Sequence, residues 1–120
     1  LRLIQALLGP AVLLISFSAY AKCQHPPTAW QFGQPFVATW RTDGAVCTST
    51  SNHPENIAEI KVTEKPKHGI AGRNGPHGIA YRPTPGFKGS DSFVYTVTSN
   101  ANYRKGPGLV AHVTINVVVE

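Results

Sequence analysis

Metal chemistry in this chain would have to come from five histidines, His25, His53, His68, His77 and His112, and two cysteines, Cys23 and Cys47. No two histidines stand as His-x-His or His-x-x-x-His, so neither a strand nor a helix turn presents a ready chelate. His68 and His77 each open a His-Gly-Ile-Ala segment, one on either side of a glycine-rich turn. A hairpin that brought the two rings together could hold a zinc ion. The plainer reading makes both of them turn-flanking residues beside glycine. Copper electron transfer needs clustered Cys and His ligands, usually with Met, and the chain has no Met. Cys23 and Cys47 lack CxxC spacing and are the only thiols, so outside the cytosol they are expected to form a disulfide. Closing that loop of about 25 residues would stabilise the fold by ~3.5 kcal/mol in the chain-entropy picture.

Catalytic signatures are missing. There is no Gly-x-Ser-x-Gly elbow, no His-Glu-x-x-His helix and no carboxylate pair in a cleft-forming context, so an enzyme is not expected. Gly69, Gly72, Gly75 and Gly78 recur every third residue, but no Gly-Lys-Ser/Thr ending and no helix follows; the segment reads as a hairpin. The aromatic residues offer binding chemistry instead. Tyr103 sits in an asparagine-rich loop next to Arg104 and Lys105, where it can stack on a sugar ring or dock a protein. Trp40 falls within a strand pattern and is expected in the core, while Trp30 fits either role.

Those residues have to be placed by the chain's larger organisation. Residues 1–21 have a basic start at Arg2, an apolar stretch from Leu3 to Phe17 and an Ala19-Tyr20-Ala21 triplet, the three parts of a cleaved signal peptide. The apolar stretch is short for a bilayer crossing and is broken by Gly9-Pro10, so no transmembrane span is expected after cleavage. Residues 22–30 form a Pro-rich N-terminal arm, and 31–120 one small domain. The chain has 11 Lys+Arg against 6 Asp+Glu, a net +5. Its basic residues are scattered, which argues against a nucleic-acid partner and leaves a mild attraction to anionic polysaccharide or lipid head groups.

From Trp30 onward the apolar pattern has period two. Strands are expected at Phe36 to Trp40, Ala45 to Thr48, Ile57 to Thr63, Gly69 to Ala71 and Gly78 to Arg82, with a turn at Gly72 to Gly75. Two more are expected at Ser92 to Thr98 and Leu109 to Val119. In these, Phe93, Tyr95 and Val97 share one face, as do Ala111, Val113, Ile115, Val117 and Val119. About seven short strands broken by Gly/Pro turns predict an all-β antiparallel sandwich.

Residues 66–98 read Pro66-Lys67-His68-Gly69, a short hairpin, then Tyr81-x-Pro83-x-Pro85-Gly86-Phe87-x-Gly89-x-Asp91-x-Phe93-x-Tyr95-x-Val97. This string resembles the bacterial Ig-like, cadherin-like repeat of exported surface proteins. The resemblance implies an Ig-like sandwich with an adhesion or binding role at the cell surface or in the periplasm. The residues themselves suggest scaffold duties. Pro83, Pro85, Gly86 and Gly89 fix a crossover, Phe87 anchors it, and Asp91 accepts backbone N–H bonds at the turn. Related repeats often continue into an acidic loop and some bind calcium. Here Ser99-Asn100-Ala101-Asn102 follows, and the six acids are scattered. The chain carries one copy of the pattern.

The expectation is therefore an exported, secreted or periplasmic, non-enzymatic Ig-like binding module without a cofactor. Its partner would be a protein or a polysaccharide at the cell surface. A periplasmic metal- or small-ligand-binding protein that uses its histidines, and a small secreted inhibitor, are the alternatives.

Overall fold

The computed structural model describes residues 22–51, 53–103 and 107–120. The export signal expected at 1–21 lies outside them. Eight strands follow in order: β1 (Cys23–Gln24), β2 (Pro35–Thr42), β3 (Cys47–Thr50), β4 (Ile57–Glu64), β5 (Gly69–Asn74), β6 (Gly78–Pro83), β7 (Gly89–Ser99) and β8 (Val110–Val119). A 3-10 turn, Pro54–Asn56, precedes β4. The strands form two layers, a five-stranded sheet ordered β1-β2-β8-β7-β4 and a three-stranded sheet ordered β3-β6-β5. The chain is thus an all-β, Ig-like sandwich.

Alternation builds the core. On β7, Phe93, Tyr95 and Val97 point inward and are fully or nearly fully buried, as are Ala111, Val113, Ile115, Val117 and Val119 on β8. Burying each large apolar side chain contributes ~1.5–3 kcal/mol. Trp40 joins them, packed edge-on against Phe93 at 5.7 Å between ring centroids. Tyr81 from the smaller sheet stacks on the same Phe93 ring at 5.6 Å, so one phenylalanine couples the two layers. The disulfide ties them again, since Cys23 lies on β1 and Cys47 on β3, with Cα atoms 5.3 Å apart.

Three details depart from the sequence pattern. β2 runs parallel to β8 along its whole length, from Pro35↔His112 to Thr42↔Val119, while every other pairing is antiparallel. β8 already pairs with β7 as a hairpin neighbour, and the chain direction of β2 then fixes the sense of the remaining contact. The β5–β6 turn comprises residues 75–77 and not 72–75. Gly72 is extended opposite Ala80, and the left-handed conformation falls on Gly75, at φ +69°. On β4, Ile57 and Ile60 are both buried although three residues apart, because a register shift between Ile57 and Glu59 resets the face.

Candidate functional site

An open cleft of about 490 Å³ gathers Trp30, Gln31, Phe32, His53, Asn56, Asn102 and Tyr103. Its aromatic wall is continuous: Phe32 packs edge-on against Trp30 at 5.1 Å and against Tyr103 at 4.8 Å. All three rings are half-buried, so each keeps surface for a ligand. The polar groups around them are amides and one imidazole, which both donate and accept hydrogen bonds.

Asparagines hold the wall in place. Asn100 Nδ2 donates to the Glu55 and Ile57 carbonyls (2.9 and 3.3 Å), while its Oδ1 accepts from the Asn102 N–H at 2.8 Å. Asn102 Nδ2 also donates to the Glu55 carbonyl (3.1 Å), and the Asn100 N–H donates to the Asn56 carbonyl (2.9 Å). The loop bearing Tyr103 is thereby stapled to the 3-10 turn. On the opposite side, the Gly33 N–H donates to the Val110 carbonyl (2.9 Å), and φ +85° at Gly33 turns the chain just after Phe32. The side chains of a loop held this way are already oriented before a ligand arrives.

Asp91 organises a second region. Its Oδ1 accepts the N–H groups of Lys67 (3.0 Å) and Ser92 (2.9 Å); its Oδ2 accepts the His68 N–H (3.0 Å) and the Tyr81 hydroxyl (2.8 Å). Partial burial alone would raise this carboxyl. The bonds from Tyr81, Ser92, Lys67 and His68 outweigh burial and hold it below the ordinary aspartate range. Burial and the adjacent carboxylate push the Tyr81 phenol upward, and burial alone does the same to Tyr95. A broad cleft of about 550 Å³ lies over this region, with Lys65, Lys67, Ser90 and Asn116 on its rim. The Asp91 oxygens already have protein donors, which makes this a structural junction.

The model of the bacterial Ig domain matches residues 25–118. The chain belongs to the bacterial Ig domain family. A search of curated proteins found no match. In this Ig domain the Tyr81-to-Tyr95 motif is a packing device: Tyr81, Phe93 and Tyr95 fill the interior, and Asp91 fastens the β4–β5 connection to β7. Pro85 and Gly86 (φ +84°) lie in the crossover, which closes with the Phe87 N–H donating to the Thr84 carbonyl at 3.0 Å. Phe87 is half-buried and stacks on the His68 ring at 4.1 Å, while φ +135° at Gly89 leads into β7.

The sequence-derived candidates separate cleanly. His68 and His77 do not share a site. His68 precedes β5 and His77 lies in the turn after it, so the length of that strand, about 20 Å, divides them. Among the described residues no three His, Cys, Asp or Glu side chains gather as a metal site. Cys23 and Cys47 are bonded as expected. Tyr103 lies in the aromatic cleft, and Arg104 and Lys105 fall outside the described residues. Reading the sequence did not reveal Phe32, His53, Asn56 or Asn102 as cleft residues, nor Tyr81 as a donor to Asp91. The alternate spacing of Trp30 and Phe32 was the available signal.

Proposed function

We propose that this bacterial Ig domain is an exported, non-enzymatic binding module of the cell surface or periplasm, and that its ligand is a polysaccharide held in the aromatic cleft. The observation that supports this is the Trp30–Phe32–Tyr103 wall bordered by Gln31, His53, Asn56 and Asn102. Ring faces suit the C–H faces of sugars, and amides suit their hydroxyl groups, which both donate and accept. The disulfide suits an oxidising compartment, and among the described residues no helix is long and apolar enough to cross a membrane.

The test is affinity electrophoresis through gels containing a neutral glucan or a uronic-acid polymer. Retardation by at least one of them is expected, and Trp30→Ala or Tyr103→Ala should weaken it by roughly tenfold; Trp30 also packs against the core, so its truncation lowers thermal stability as well, and Tyr103→Ala is the milder change to the fold. Binding that depends mainly on charge would fall as salt screens it. Retardation unaffected by both substitutions would refute the assignment to this cleft.

A further inference from the structure

We propose that β5 is a strand-pairing edge through which two copies of this chain join, antiparallel, about a two-fold axis at Ala71. The two sheets have four edges, β1 and β4 in one and β3 and β5 in the other, and they are guarded unequally. An open edge presents unpaired backbone groups to any passing strand, and proteins blunt it with short strands, bulges, charges or covering segments. β1 is two residues long and tied down by the disulfide. β4 has two register shifts and carries Glu59, Lys61 and Glu64. β3 is covered by the N-terminal arm: His25 Nε2 donates to the Thr48 carbonyl (2.8 Å), and the Thr28 hydroxyl bonds to that of Ser49. β5 has none of these devices. It pairs with β6 over six residues without a shift and contains no proline. Its one charge, Arg73, folds back into the turn, donating to the Gly75 and Pro76 carbonyls (3.0 and 3.1 Å).

The parity of the hydrogen bonds shows which groups are free. The Thr84 N–H donates to the His68 carbonyl at 2.9 Å, which makes that pair a bonded one in the β5–β6 register. Bonded pairs alternate along an antiparallel ladder, so Ile70, Gly72 and Asn74 face β6. Gly69, Ala71 and Arg73 then direct their N–H and C=O groups away from the sheet.

Side chains select the occupant. Ile70 is 64% exposed, and beside it lies a shallow hollow of about 190 Å³ over Gly72 and Ala80, bordered by Val46 and Arg82. With Ala71 opposite Ala71 of a second copy, Gly69 faces Arg73, and Ile70 lies over the bare Gly72. The knob and the hollow are exchanged twice by the same axis, as an isologous interface requires. No two arginines are opposed, and about six backbone hydrogen bonds form across the seam.

Sedimentation of the purified chain from about 5 µM to about 1 mM, with amide hydrogen exchange at both ends of that range, tests the proposal. A reversible dimer is expected, in which the Ala71 and Arg73 amides gain protection with concentration while Ile70 and Gly72 are protected throughout. A side chain at Gly72 meets nothing within 4 Å in the monomer. Gly72→Glu should therefore leave thermal unfolding unchanged yet weaken the dimer roughly tenfold or more. A chain that stays monomeric over the whole range overturns the proposal, even if a strand of another protein were to use the edge. So does a dimer that Gly72→Glu leaves intact. Neither result bears on the aromatic cleft, which lies on other elements.

Discussion

At the scale of single residues, Asp91 has the largest structural task. It receives three backbone N–H groups and one phenol, joining the β4–β5 connection, β6 and β7. Asp91→Ala strips partners from all four donors and should lower stability by about 2–3 kcal/mol, measured as a shift in urea midpoint. Tyr81→Phe keeps the stack on Phe93 and removes one bond, so about 1 kcal/mol is expected. The pH dependence has a fixed sign. The folded state holds the Asp91 carboxyl below its value in the unfolded chain, so its contribution is complete above about pH 4 and drains away as pH falls further. The urea midpoint of the wild type should fall below pH 4 more steeply than that of Asp91→Asn; equal slopes would remove Asp91 from this role. That Asp91 accepts a local backbone N–H was legible from its place after a Gly-rich turn, and Ser92 supplies it; the Lys67, His68 and Tyr81 donors were not legible, because they depend on how the β4–β5 connection, β6 and β7 come together.

At the scale of elements, the strands with strict alternation, β7 and β8, were readable because every second residue is apolar and β-branched or aromatic. β4 was legible in extent but not in register, since no sequence rule places the bulge that lets Ile57 and Ile60 both turn inward. The β5–β6 turn was read three residues early because Gly72 looks like a turn residue; the pairing of Asn74 with Gly78 shows what Gly78 is for. A Cβ there would lie 2.6 Å from the Asn74 carbonyl oxygen and 3.1 Å from that of Ser49. Gly78→Ala should therefore destabilise the domain by about 1–3 kcal/mol, against almost nothing for Gly72→Ala, and thermal melts of the two variants compare them directly. The disulfide joins elements as well as sheets. Replacing both Cys23 and Cys47 by Ala should lower stability by ~3.5 kcal/mol, measured as a shift in urea midpoint, with the arm then held on β3 only by the His25 and Thr28 hydrogen bonds.

At the scale of the whole molecule, the sandwich divides its labour. The interior and the Asp91 junction fix the frame, and the loops at one end collect aromatic side chains that no local sequence window contains together. Tyr103 was visible as a loop aromatic, but Trp30, Phe32, His53 and Asn56 reach the same cleft from separate segments that only the fold unites. Chemical-shift mapping of the labelled chain with soluble oligosaccharide probes, one from a neutral glucan and one from a uronic-acid polymer, shows whether these residues act as one site. Saturable shifts are expected at Trp30, Phe32, Asn102 and Tyr103 and their neighbours, with Lys65, Lys67 and Ser90 undisturbed. Shifts centred on that basic rim, or none with either sugar at millimolar concentration, would contradict the shared site.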